Sequence, residues 1–277
     1  MLHRGFMKKV MAIVLVGSVA ACYTVRNEDM FPIQRSSLSE SQLAAVSIGG
    51  VHVERLVLQQ DVSVDAYIAR VPDARGTVVF FGGNGNEVTG VLPNLLPHLQ
   101  PMHLDLIVMN YWATDQRQSN ADSIRISANR LISEAIEISS GPVCVMGHSV
   151  GAWFALDAAS RRDVSGVVLA AVGTTPSDLT IAQAGIWRPF LWHSAQDESL
   201  GLLDGIQLAG KAVTPVLVVT STEDRDIPAR LSAEVYNALP PTLEKRLLTL
   251  HGVSHGGYFR SAELWDAASQ VLCRTIQ

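Results

Sequence analysis

A serine with a glycine two residues to either side, Gly147-His148-Ser149-Val150-Gly151, carries the strongest chemical signal in this chain. An apolar run, Pro142-Val143-Cys144-Val145-Met146, leads into it, and a segment follows in which Ala152, Ala155, Ala158 and Ala159 recur among Trp153, Phe154 and Leu156. Strand, tight turn and helix with a serine at the apex make a nucleophile elbow. The serine of such a turn is strained, and a Cβ two positions before or after it would collide where strand and helix cross. A serine hydroxyl is a poor nucleophile at neutral pH and needs a base, which in turn needs an orienting acid. Acids cluster downstream in Thr220-Ser221-Thr222-Glu223-Asp224-Arg225-Asp226-Ile227-Pro228. Histidines follow in Leu250-His251-Gly252-Val253-Ser254-His255-Gly256-Gly257. His52, His98, His103 and His193 sit in no motif.

These residues need a scaffold, and the pattern of apolar runs supplies one. Segments 51–58 and 62–71 alternate apolar with polar residues and read as an antiparallel hairpin joined at Gln59-Gln60-Asp61. Runs at 77–81, 104–109, 143–146, 167–171, 216–220 and 246–250 are continuously apolar or nearly so, as strands covered on both faces are. Helical spacing fills the gaps at about 86–99, 121–138, 151–161, 229–238 and 261–275. The expectation is an α/β domain with an eight-stranded, mostly parallel sheet and helices on both faces. Ligands of such sheets bind at the carboxyl ends of the strands. Residues 173–211 break the alternation between the sixth and seventh strands. They carry Trp187, Pro189, Phe190, Leu191 and Trp192, which suits a lid over a substrate pocket or simple packing onto the domain.

Over residues 51–277 the chain resembles the α/β-hydrolase superfamily of serine hydrolases, which orders its triad serine, acid, histidine. The resemblance carries the acid to Asp224, four residues before Pro228, with Asp226 and Glu223 as alternatives; Ser221 stands where that family usually has glycine. It carries the base to His255, in a loop before the last helix, and leaves His251 at a strand end. His148 is common in the family beside the nucleophile and is expected to pack. Phe81-Gly82-Gly83-Asn84-Gly85-Asn86 resembles an H-G-N-x-G-N loop, which implies that the backbone N–H groups of Gly83 and Val150 form the oxyanion hole. Tyr111-Trp112-Ala113-Thr114-Asp115-Gln116-Arg117 departs from the family's Y-R-G-x-G-x-S loop. The implied activity is cleavage of carboxylic esters or thioesters, on a small-molecule or lipid-like acyl substrate, through an acyl-enzyme and without metal or organic cofactor. The same triad serves peptidases and acyltransferases, and the fold also occurs in non-catalytic binding proteins, here one of the cell envelope. No H-E-x-x-H, C-x-x-C, dinucleotide fingerprint or phosphate-loop spacing competes with this reading.

The first residues read as an export signal over 1–21: Lys8 and Lys9 precede an apolar stretch, 10–16, too short to span a bilayer. Val19-Ala20-Ala21-Cys22 resembles a bacterial lipobox, which implies a lipid on Cys22 and attachment to the periplasmic side of the outer membrane; an ordinary signal-peptidase site at Ser18-Val19-Ala20 is the alternative and implies a secreted or soluble periplasmic form. Residues 22–50 read as a tether and docking segment. Cys144 and Cys273 suit buried apolar positions rather than a disulfide. The chain has 277 residues and a formal net charge of −5. Leaving out the first 22 residues removes three of the 21 bases and none of the 26 acids, giving −8. With no basic stripe, nucleic-acid binding is not expected. No pattern speaks to oligomeric state.

Overall fold

The computed structural model describes residues 23–31, 38–46, 50–56, 65–84, 88–110, 120–184 and 194–272. Residues 1–21, read above as an export signal, Cys22, Gly85, Asn86, the 111–117 loop, the aromatic run 187–192 and Cys273 lie outside the described residues.

Eight strands form one sheet: β2 (His52–Leu56), β3 (Asp65–Arg70), β4 (Gly76–Phe81), β5 (Leu104–Asn110), β6 (Val143–His148), β7 (Gly166–Ala170), β9 (Val216–Ser221) and β10 (Lys245–Leu250). Their order is β10-β9-β7-β6-β4-β5-β3-β2. β3 pairs antiparallel with both β2 and β5, and every other pairing is parallel. The eight-stranded, mostly parallel sheet expected from the apolar runs is the sheet observed. Its chemistry follows position: β4, β5, β6, β7 and β9 are buried along their whole length, whereas edge strands β2 and β10 are mostly exposed or half-buried. Charged Glu54, Arg55, Lys245 and Arg246 fall on those two edges, where they discourage further strand addition.

Helices cover both faces. On one lie α4 (Ala121–Ile138), α5 (Val150–Ala158), α7 (Gly205–Ala209) and α8 (Ala229–Ala238), each in contact with the next. α3 (Val88–Leu99) and α9 (Ala262–Leu272) pack on the other, with α2 (Glu40–Val46) beside α3. α4 starts at a capping box in which Ser123 N–H donates to Asn120 Oδ1 (2.8 Å) and Asn120 N–H to Ser123 Oγ (3.2 Å), and it turns Ile124, Leu131, Ile132 and Ala135 to the core. α3 contains Pro93 and Pro97, both on its exposed side, while Val88, Val91, Leu92, Leu95, Leu96 and Leu99 are buried. Cys144 is buried under α9, its thiol directed at Leu272 O (3.4 Å).

Two segments frame the carboxyl edge of the sheet. Among the described residues of 173–211 are α6 (Pro176–Gln183), capped by Thr175, strand β8 (Ser194–Gln196) and α7, capped by Asp204. Strand β8 pairs in parallel with β1 (Tyr23–Val25), and the short helix α1 (Asn27–Met30) follows β1. Val25, Met30 and Phe31 are buried. Asn27 ties the pieces together. Its backbone N–H (2.8 Å) and Nδ2 (3.1 Å) donate to Asp197 Oδ2, its Nδ2 also to Ser199 Oγ (2.8 Å), and its Oδ1 accepts from Ala121 N–H at the start of α4 (3.0 Å).

Candidate active site

Ser149 lies between the end of β6 and the first residue of α5, with φ +56° and ψ −122°. Its N–H donates to Ala170 O of β7 (3.0 Å), which extends the β6–β7 ladder through the turn, and its C=O accepts from Ala152 N–H (3.0 Å) as the helix begins. A positive φ on a non-glycine residue is strained and persists only where its surroundings over-determine it. The two glycines of the motif show what enforces it. A Cβ on Gly151 would stand 2.0 Å from Phe81 O and 2.4 Å from Gly82 O; one on Gly147 would stand 2.5 Å from Gly151 O. Both collisions are with backbone, so strand and helix cross as closely as the motif implies.

The loop after β4 passes over the serine. A Cβ on Gly83 would sit 3.0 Å from Ser149 Cβ and 3.2 Å from His148 Nδ1. Val150 is the first residue of α5 and is buried. The N–H groups at the start of a helix have no partner within it and carry the positive end of its dipole. Asn84 Nδ2 donates to Asp29 O in α1 (3.0 Å), so the N-terminal segment reaches this loop.

On the other side of the serine, Asp224 lies in the turn after β9 and is 5% exposed. Its carboxylate accepts four hydrogen bonds. Oδ1 takes the N–H groups of Asp226 and Ile227, both at 2.9 Å, and Oδ2 takes His255 Nδ1–H and the Tyr258 hydroxyl, also at 2.9 Å. Burial, the largest single influence, pulls the Asp224 pKa up. The His255 hydrogen bond and charge, the Ile227 N–H and the Tyr258 hydroxyl together outweigh it and hold the carboxyl below its usual value. Burial, then the Asp224 charge and hydrogen bond, push the Tyr258 phenol well above its usual range, so it stays a donor.

His148 links the two sides. Its Nε2–H donates to the backbone carbonyl of His255 (2.9 Å), and the two imidazoles lie tilted at 36° with centroids 4.7 Å apart. A carbonyl only accepts, so His148 carries its proton on Nε2; Nδ1 is buried and has no hydrogen-bond partner. Burial, followed by the nearby His255 charge, lowers the His148 pKa to about 3, so this ring is neutral. The hydrogen bonds of the described residues join His255 to Asp224 and to His148; none joins it to the Ser149 hydroxyl.

The alternatives left by the sequence fall outside this cluster of bonds or at its margin. His251 is exposed and meets Thr222 Oγ1 (3.3 Å), not Asp224. Glu223 is exposed and accepts from Gly252 N–H (2.6 Å). Asp226 contributes its backbone N–H; its exposed carboxylate lies within 4.8 Å of the Asp224 and His255 ligand atoms. Those three residues have the spacing to hold a cation, but the four donors on Asp224 already occupy its lone pairs. Ser221 is fully buried, and its hydroxyl donates to Val253 O, which ties the acid turn to the histidine loop. Tyr258 and the Ser221 brace were not singled out from the sequence, because each acts on a partner about thirty residues away. The cavity lined by Asn27, Asp122, Asp197, Glu198, Ser199 and Leu202 includes none of Ser149, Asp224 and His255.

No family model matches the chain, and no curated protein matches it. Solved structures do. An esterase of Pyrobaculum calidifontis is 17% identical with a TM-score of 0.60, over 84% of this chain and 88% of that one. An esterase of Pyrococcus furiosus is 12% identical with a TM-score of 0.62, over 89% and 99%. A 2,6-dihydroxy-pseudo-oxynicotine hydrolase is 13% identical with a TM-score of 0.63, over 84% and 72%. With the strand order above, these matches give the chain the α/β-hydrolase fold.

Proposed function

We propose that the protein is a serine hydrolase that cleaves carboxylic esters or thioesters, with Ser149 as nucleophile, His255 as general base and acid, and Asp224 orienting His255. The observation that carries this reading is the hydrogen-bonded Asp224–His255 pair, latched by His148 to the strained turn that bears Ser149. Similarity to proteins named as esterases favours an ester as substrate. In the reaction, His255 Nε2 removes the hydroxyl proton as Ser149 Oγ attacks the acyl carbon. Asp224 holds the proton on Nδ1 and stabilises the imidazolium. Negative charge developing on the acyl oxygen is met by the N–H groups of Gly83 and Val150. The imidazolium then protonates the departing alcohol or thiol, and a water deprotonated by His255 hydrolyses the acyl-enzyme. The serine–imidazole hydrogen bond is often long in free enzymes and tightens with substrate bound, which accommodates its absence here. A fluorophosphonate should label Ser149, and p-nitrophenyl butyrate should be hydrolysed by the wild type but not by Ser149→Ala. An unlabelled Ser149, or full activity in Ser149→Ala, would remove this assignment.

We further propose that residues 1–21 are an export signal and that Cys22 bears a lipid anchoring the protein in the cell envelope. Cys22 immediately precedes β1, so an anchor there would attach one residue from folded structure. Radiolabelled palmitate should enter the wild type expressed in a bacterial host and be absent from Cys22→Ser; equal labelling of both would overturn lipidation at this residue.

A further inference from the structure

The loop that carries Gly83 meets a segment more than fifty residues earlier, directly at Asn84 and through Phe154 at Phe81. At its start, Phe81 packs edge-on against Phe154 of α5 (centroids 6.4 Å), and Phe154 in turn meets Phe31 (6.0 Å), which is 3% exposed. Just after Gly83, Asn84 Nδ2 donates to the Asp29 carbonyl. The loop follows a buried strand, and its glycines have no side chains of their own to anchor it. The earlier segment is itself fastened at two further points, by the β1–β8 ladder and by the Asn27 bonds to Asp197, Ser199 and Ala121. Its position is therefore set by the insertion after β7 and by the start of α4, independently of the loop it touches.

We propose that residues 23–31 form a strap that positions the oxyanion-forming backbone, and that Asn84 is the positioning residue through which it acts. The proposal rests on the hydrolase reading above. An oxyanion donor works only if its N–H points at the place the charged oxygen will occupy, and displacement on the order of 1 Å can cost about a hundredfold in rate. A glycine-rich loop held by nothing would sample many such positions. The Asn84–Asp29 bond removes that freedom before substrate arrives. It joins residues 23–31 to the site of chemistry, so this N-terminal segment serves as a component of the site.

The test compares full-length wild type, Asn84→Ala, Asn84→Asp, Phe31→Leu and Ser149→Ala. Asp matches Asn in shape but cannot donate to the Asp29 carbonyl. Each protein is assayed on p-nitrophenyl butyrate and with a trifluoromethyl ketone, whose serine adduct is a tetrahedral oxyanion. Both Asn84 variants should lose about tenfold in kcat and a similar factor in ketone affinity, with KM and melting temperature near wild type, the pattern of an interaction felt only in the transition state. Values of kcat and ketone affinity within twofold of wild type would overturn the strap. So would equal losses in KM and melting temperature, which mark general loosening. Should the Asn84 variants not fold, Phe31→Leu decides by the same criteria. Ser149→Ala keeps the two readings apart: if it is inactive while the Asn84 variants are normal, the strap alone fails, and if it is active, the hydrolase reading fails first.

Discussion

The two loops that flank Ser149 are held by different physics. On the acid–histidine side, a buried carboxylate is saturated by four donors, and its loop is cross-braced by Ser221 Oγ to Val253 O and by His148 Nε2–H to His255 O. On the Gly83 side there is no buried charge among these contacts. Ring packing and an amide hydrogen bond to the N-terminal segment are among the contacts that hold it. The contrast fits what the proposed mechanism would ask of each side. A proton relay must keep one ion charged while dehydrated, which takes several charge-assisted hydrogen bonds. An oxyanion donor has to present only a neutral backbone N–H at the right place, so positional restraint is enough.

That difference predicts unequal consequences. Asp224→Asn should be the most damaging change, because whichever carboxylate oxygen becomes an NH2 group would face two donors instead of accepting from them. Loss of the correct imidazole tautomer should lower kcat by roughly 10³–10⁴-fold. The mispaired buried donors should cost about 1–3 kcal/mol of stability each. The Asn84 substitutions on the opposite side should stay near tenfold in kcat with stability unchanged. Measuring kcat and the urea unfolding midpoint for both pairs checks the comparison; similar losses on the two sides would erase the distinction between charge solvation and positional restraint.

How much of this could be read from the chain depended on sequence distance. The fold was legible because its determinants are local and repeated: apolar runs mark the buried strands, and Ile124, Leu131, Ile132 and Ala135 return at helical spacing. Gly147 and Gly151 were legible as a short local motif, although only the Gly147 clash is local and the Gly151 clash is with Phe81 and Gly82 about seventy residues earlier. The bracing of the site was not. Tyr258 is 34 residues from Asp224 and Ser221 is 32 from Val253. Asn27 and Asp197 are 170 apart. Each is an ordinary polar residue until the fold brings its partner to it. The region 173–211 shows no period because its described part is built of short pieces. They are fixed by caps at Thr175 and Asp204 and by pairing with β1, none of which leaves a repeating pattern. Ser221 was legible only as a departure from a family glycine, and the departure now has a use: its hydroxyl joins the acid turn to the histidine loop.

A smaller and more diagnostic effect concerns acid. In the folded protein His148 is neutral down to about pH 3, whereas in the unfolded chain it takes up its proton near the ordinary imidazole value of about 6.5. The unfolded state therefore binds the extra proton first as pH falls. This contribution to stability is complete above about pH 6.5 and is lost progressively between there and about pH 3, at up to about 1.4 kcal/mol per pH unit. Asp224 adds loss of the same sign but lower on the scale. Its folded pKa is depressed, so its contribution is present above the unfolded carboxylate value of about 3.9 and disappears as pH falls through its folded one. Between about pH 6.5 and 4 His148 contributes a loss of this sign, and His98, whose pKa burial also lowers, adds to it. His148→Gln keeps a neutral donor for the His255 carbonyl and removes the titration, so its urea midpoint should fall less steeply than that of the wild type across this window, whatever its stability at pH 7. Asn84→Ala, on the side without buried charge, should run parallel to the wild type. Equal slopes for all three proteins would show that His148 does not control the acid response of the relay side.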